Sequence, residues 1–190
     1  MDENALLQAS KNGDVEAFNV LVLEYQGQIF NVCYRMLGDP SSAEDMTQEA
    51  FVSAYKNIKR FKEGNFRAWL FRIASNSCRD YLRSPRLRKS QSLELIEETF
   101  EGVLISNLES PDNFAIRKEL SGVIQVALLK LPEDQRFALI LVDVQGMSYE
   151  EAANILDTPI GTVKSRLSRA REAVRRQLVK QKELLPTQFR

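Results

Sequence analysis

Apolar residues return every three or four positions along most of the chain, and no stretch alternates with the period of two that a half-buried strand needs. The pattern predicts helices throughout. A short first helix spans Asn4 to Lys11 and stops at Asn12–Gly13. Asp14 then caps a long helix on which Ala17, Phe18, Leu21, Val22, Tyr25, Ile29, Cys33 and Met36 recur at helical spacing, ended by Gly38–Asp39–Pro40. Ser41 or Ser42 is the expected cap of a third helix, with Met46, Ala50, Phe51, Ala54 and Ile58 on its apolar face. The loop KEGN at 62–65 leads into a fourth helix, FRAWLFRIASNSCRDYLR, stopped by Ser84–Pro85.

Periodicity then lapses. Residues 86–112 begin basic, turn acidic and contain SLESPD, which predicts a linker of poor or partial order. From about Phe114 it resumes, with Ile116, Leu120, Ile124 and Leu128 marking a helix that ends before Leu131–Pro132. PEDQRFALILVDVQG predicts one further helix, with Pro132 in its first turn, Glu133 and Asp134 at its positive end and Gly146 at its exit. Ser148 with Glu151 three residues on forms a capping box that opens YEEAANIL. Asp157 stands at the turn where glycine is common, since aspartate tolerates the left-handed conformation better than most residues. Thr158 is placed to cap the last helix, with Pro159 in its first position. A short helix, a tight turn and a long helix make a helix-turn-helix.

The chain has 190 residues, 44% hydrophobic and 27% charged, which suits a soluble protein of one large domain or two small ones. No apolar run is long enough to span a membrane and the first residues lack the basic start of a signal peptide, so no membrane insertion and a cytoplasmic location are expected. Cys33 and Cys78 are the only cysteines and histidine is absent. A structural zinc site is thereby disfavoured, and two half-buried thiols in a reducing compartment are expected. Without a phosphate-binding loop or a histidine-based catalytic set, neither an enzyme nor a cofactor is expected.

A net charge of zero conceals strong alternation. Residues 1–55 carry −7 and residues 56–89 carry +9; residues 90–120 and 131–157 carry −5 each, and residues 158–190 carry +7. Solvated helix faces explain many such runs. Two basic blocks with acidic neighbours also suit two polyanion-facing surfaces, each beside a face meant for another partner. Spacing decides between these readings.

On the last helix Ile160, Val163, Leu167, Ala170 and Val174 share one narrow stripe, which must pack inward. The opposite side carries Ser165, Ser168, Arg169, Glu172 and Arg176, with Lys164, Arg166, Arg171 and Arg175 on the flanks. A major groove admits one helix whose exposed donors meet base edges while flanking cations meet phosphates. Residues near the helix start reach bases in helix-turn-helix proteins, which favours Lys164, Ser165, Ser168 and Arg169 as readers. A basic amphipathic helix could instead lie on an acidic membrane or protein, but the capped helix and turn before it favour the groove.

Residues 55–83 interleave aromatics with cations, from Tyr55, Lys56, Lys59 and Arg60 through Trp69, Phe71 and Arg72 to Arg79, Tyr81 and Arg83. Single-strand binders use such mixtures, stacking bases on rings while cations follow the backbone. Trp69 shares a stripe with Phe66, Ile73 and Ser77, so a core position competes with a base platform there. A duplex reader joined to a strand trap is what promoter opening requires.

Two groups of segments carry a specific likeness: AEDMTQEAFVSAYKNIKRF with FRAWLFRIASNSCRDYLR, and LPEDQRFALILVDVQGMSYEEAANILDTPIGTVKSRLSRAREAVRR. There the chain resembles the extracytoplasmic-function sigma factors of bacterial RNA polymerase. The resemblance implies an all-α fold of two small helical domains joined by a flexible linker. Residues 1–85 would bind the core polymerase clamp helices and the opened −10 strand, residues 86–112 would link, and residues 113–190 would read the −35 duplex by a helix-turn-helix. Asp45, Gln48, Glu49 and Phe51, with Glu44 beside them, correspond to the clamp-binding helix. Phe61, Lys62, Glu63, Gly64 and Asn65 correspond to the segment that holds a flipped −10 base, and Asn76 to a polar position facing that strand. Lys164, Ser165, Ser168 and Arg169 correspond to −35 readers, flanked by Arg166 and Arg171, with Tyr149 and Glu150 on the supporting helix. The likeness further implies control by an anti-sigma factor, through which any membrane tethering would run, and a linker whose acidic stretch Glu94 to Glu101 suits the polymerase channel. An ordinary helix-turn-helix regulator and a pure interaction module are the rival readings; a sigma factor must co-purify with core polymerase, and they need not.

Overall fold

In a computed structural model the chain is described over residues 2–62, 64–84 and 111–180, with the side chains of 111–119 and 180 outside that description. The helices are α1 (Glu3–Lys11), α2 (Val15–Leu37), α3 (Pro40–Asn57), α4 (Phe66–Arg83), α5 (Pro111–Leu129), α6 (Glu133–Leu139), α7 (Tyr149–Leu156) and α8 (Ile160–Lys180). A 3₁₀ turn, Ile58–Arg60, follows α3, and a π segment, Ile140–Val144, follows α6. Among the described residues there is no strand, and no helix is long and apolar enough to cross a membrane. The expected linker falls on residues outside the description, apart from Pro111 and Asp112, which already belong to α5.

Helix ends follow local chemistry, with some shifts from the sequence expectation. Asp14 caps α2 as expected, its carboxylate accepting from Ala17 N at 3.1 Å. The cap of α3 is Asp39 rather than Ser41 or Ser42: its carboxylate accepts from Ser42 N at 2.7 Å, because Pro40 takes the first helical position and the cap must precede it. Pro132 stands one place before α6, its carbonyl accepting from Gln135 N and Arg136 N, each at 3.0 Å. The single helix expected over 132–146 is broken by the π segment, where Gln145 N reaches back five residues to Ile140 O at 2.9 Å. Pro159, not Thr158, opens α8, its carbonyl accepting from Thr162 N at 2.9 Å and Val163 N at 3.2 Å. The capping box of Ser148 and Glu151 and the left-handed Asp157 (φ 51°, ψ 53°) match their expectations. Cys33 and Cys78 are both fully buried, not half-buried; their mutual hydrogen bond and burial push the Cys78 thiol far above its usual range.

α1–α4 and α5–α8 do not stand apart. One hydrophobic core runs from Leu21, Ile29, Met36, Leu70 and Phe71 into Phe137, Ile140, Leu141, Ile155 and Val163, while Leu128, Leu131, Leu139, Leu167 and Ala170 form a smaller cluster behind it. The C-terminus of α2 carries the polar part of this junction, where the last carbonyls of a helix lack intrahelical partners. Gln125 Nε2 donates to Tyr34 O at 3.2 Å and to Arg35 O at 3.3 Å. Arg136 donates to Met36 O, and also to Leu129 O at 2.8 Å and Leu131 O at 3.1 Å. Burial pulls the Arg136 pKa down, and three carbonyl acceptors offset the hydration it loses.

Gly38 closes α2 at φ 80°, and a Cβ there would stand 2.5 Å from Leu129 Cδ1. Gly38→Ala therefore meets both the left-handed backbone cost and a clash at the junction. We expect a loss of about 2 kcal/mol of unfolding free energy by urea titration, and a wild-type midpoint would contradict it.

Candidate functional site

Three surfaces carry the residues singled out from the sequence. On α8, Val163, Leu167 and Ala170 are buried, which turns the other side of the helix outward. Lys164, Ser165, Ser168 and Arg169 are all exposed on that side near the helix start. Arg169 bonds back along its own helix to Ser165, at 3.2 Å to the carbonyl and 3.3 Å to the hydroxyl, so its guanidinium lies over the donor-rich turn. Tyr149 is half-buried under Lys164, whose Nζ lies 5.8 Å from the ring centre, and Glu150 is exposed at the start of α7. The flanking cations differ from the readers. Arg166 pairs with Asp134 at 2.5 Å, and Arg171 grips Asp143 through two bonds of 2.9 and 2.6 Å. The hydrogen bond to Asp143 raises the Arg171 pKa further, so that guanidinium is held charged and braced against the π segment.

The second surface lies along α4 and the loop before it. Phe61 does not stand free to meet a base: it is 9% exposed, with its ring 5.6 Å from Phe66 and 5.1 Å from Trp69. The ring packs into an aromatic cluster here, since burying an aromatic ring is worth more than leaving it in water. Trp69 joins the same cluster and is half-buried, so core packing is its main occupation. Lys62, Gly64 and Asn65 are exposed; Glu63 lies outside the described residues. Asn65 caps α4, its carbonyl oxygen accepting from Ala68 N at 2.9 Å. Asn76 is exposed on α4 and accepts from Arg79 at 3.4 Å.

The third surface is the outer side of α3. Glu44, Asp45, Gln48 and Glu49 are exposed, whereas Phe51, expected beside them as an apolar anchor, is 8% exposed and belongs to the core. The apolar residues that do face outward are Val52, 45% exposed, and Tyr55, 36% exposed. The sequence pattern did not single out Val52, and it placed Tyr55 in the strand-facing aromatic block instead. The spacing 45, 48, 52, 55 would have found them, because it continues the acidic stripe at helical period.

This set of surfaces has close relatives. Residues 21–88 match Sigma-70 region 2 and residues 121–174 match Sigma-70, region 4. The RNA polymerase sigma-H factor of Pseudomonas aeruginosa is 38% identical over 176 residues, covering 90% of this chain and 91% of its own. The ECF RNA polymerase sigma-E factor of Escherichia coli is 38% identical over 179 residues, covering 92% and 93%. The chain belongs to the extracytoplasmic-function sigma factors. Its fold is similar to that of CnrH, solved in complex with the cytosolic domain of CnrY, at a TM-score of 0.66 and 28% identity over 94% of this chain and 99% of that one. The sigma factor RpoE of Bartonella quintana, in complex with the anti-sigma factor NepR, is similar at a TM-score of 0.64 and 30% identity over 85% and 96%. This sigma factor is thus a transcription initiation factor of bacterial RNA polymerase, with α3 and α4 inside the region 2 match, α6 and α7 inside the region 4 match, and α2 and α8 running partly beyond them.

Proposed function

We propose that this sigma factor docks on core polymerase through the outer side of α3, reads −35 duplex with α8 and holds the opened −10 strand along α4 and its preceding loop. The division runs at residues 1–85, 86–112 and 113–190. The observation that carries the reading is α8: its inner stripe is sealed in the core, and four short or flexible donors, Lys164, Ser165, Ser168 and Arg169, face solvent at the end that a groove admits first. Arg166 and Arg171, already held by Asp134 and Asp143, brace the helix and meet phosphate only as a second role. On α3, Asp45, Gln48 and Glu49 supply charge complementary to a basic coiled coil, and Val52 and Tyr55 take the anchoring part first assigned to Phe51.

The protein acts without catalysis of its own. Unstacking a base costs a few kcal/mol, which a polar and stacking pocket offsets. It works in the cytoplasm, where polymerase is, and is held in check by an anti-sigma factor, as supported by the two similar structures solved with such partners. Arg169→Ala is expected to relax −35 discrimination by about 1–3 kcal/mol while leaving core binding intact. Competition between consensus and mismatched promoter fragments for the reconstituted holoenzyme reads this directly; an unchanged preference would remove Arg169 from the reading set.

A further inference from the structure

One residue at the start of α8 has no polar atom in its side chain and still faces solvent. Ile160, the first residue of the helix, is expected from its spacing to pack inward with Val163 and Leu167. Those two are sealed, at 0% and 1% exposure, whereas Ile160 is 38% exposed and belongs to neither hydrophobic cluster. Its place around the helix accounts for the difference. At 3.6 residues per turn Ile160 stands about 60° from Val163 and about 40° from Lys164, on the opposite side. It therefore borders the buried stripe and continues the exposed one, in line with Lys164 and Ser168 at successive steps of four.

The rest of the first turn leaves Ile160 uncovered. Gly161 has no side chain, and a Cβ there would meet nothing within 4 Å. Thr162 is half-buried. Lys164, one turn on, carries its ammonium 5.8 Å from the centre of the Tyr149 ring on α7. Single exposed apolar side chains are common on protein surfaces, so exposure by itself decides nothing. Place does. The start of α8 is the end that a major groove admits first. Base edges in that groove offer donors and acceptors with one apolar group among them, the C5 methyl of thymine. An isoleucine pressed on any other base edge would take water from a polar atom and return no bond. Against a methyl it sacrifices no hydrogen bond and buries apolar area on both sides.

We propose that Ile160 is a specificity-determining residue of the −35 contact: its side chain packs on a thymine methyl, so that the element carries a thymine at that position. The proposal rests on the reading of α8 as the −35 helix and adds an apolar contact to its polar ones. Lys164, Ser165, Ser168 and Arg169 offer hydrogen-bond donors to base edges and phosphates, whereas Ile160 reads a group that no donor can detect. Removing one methyl from such a contact weakens binding about fourfold.

The test uses holoenzyme reconstituted from core polymerase and the full chain, with a promoter fragment taken from its own mapped start sites. Each thymine of the −35 element, on either strand, is replaced in turn by deoxyuridine, which pairs as thymine does and lacks only the methyl. One such replacement is expected to weaken binding by the wild-type protein about fourfold. Ile160→Ala is expected to lose about fourfold on the unmodified fragment and to ignore deoxyuridine at that position. Ile160→Val, which keeps a branched apolar side chain there, retains most of the sensitivity. Both variants should keep the wild-type thermal midpoint, since Ile160 lies outside both hydrophobic clusters. Arg169→Ala removes a donor and no apolar contact, so it should relax −35 preference while keeping the full deoxyuridine penalty. A −35 element in which no thymine is sensitive, or an Ile160→Ala protein as sensitive as wild type, overturns the methyl contact. If Lys164→Ala and Arg169→Ala leave −35 preference unchanged as well, the reading of α8 fails and the contact falls with it; if they relax it, only the role of Ile160 is lost.

Discussion

Replacing Asp45 and Glu49 together by lysine is expected to weaken binding to core polymerase by about 3 kcal/mol, roughly a hundredfold, because like charges placed face to face across an interface cost several kcal/mol. Both side chains are exposed on α3 above a fully buried Ala50, so the exchange does not disturb packing. The companion change Val52→Asp, on the same stripe, should act in the same direction through lost apolar contact, and it too leaves the core untouched. Titration of labelled protein with core enzyme measures the effect. A double reversal that binds as wild type would move the docking surface off α3.

The second large effect separates the structural account from the sequence reading. Phe61, expected to meet a flipped base, packs between Phe66 and Trp69 with Lys11 Nζ 5.3 Å from its ring centre. Phe61→Ala should therefore cost about 3 kcal/mol of unfolding free energy, the usual consequence of emptying an aromatic site in a core. Its companion Lys62→Ala, at an exposed position, should leave stability unchanged and reduce only promoter opening, which permanganate footprinting of the bubble reports. A Phe61 variant of wild-type stability with a selective opening defect would restore the ring to the strand site.

Periodicity located the helices, and local cap and turn chemistry located the capping box at Ser148 and the left-handed Asp157, because each depends on a few neighbouring residues. The ends of α3 and α8 slipped by one to three residues because proline and the preceding acid compete with serine and threonine for the cap. The break at Ile140–Val144 was not legible, since nothing in ILVDV differs from ordinary helix and the π turn arises from how Met147 and Gln145 fold back on Leu141 and Ile140. Phe51 and Phe61 show the same limit at the site. A ring beside charged residues reads equally as an anchor or as core, and only the packed chain separates the two. The outward direction of Lys164, Ser165, Ser168 and Arg169 was legible because the inner stripe of α8 is so strict.

Closure of the two halves was not legible at all. It depends on Gln125 and Arg136 capping the carbonyls at the end of α2, contacts about 90 to 100 residues apart along the chain. Charge alternation hinted that the acidic blocks had partners. It could not show that Arg72 and Arg79 of the same chain face Asp157 and Glu133, each at 3.9 Å.

The central claim is that this protein directs polymerase to promoters and opens them. Run-off transcription with purified core enzyme on a library of genomic fragments tests it most directly. The account predicts discrete start sites that share −35 and −10 motifs and vanish with the Asp45 and Glu49 reversals. Core enzyme that starts nowhere when supplied with the intact protein would contradict it.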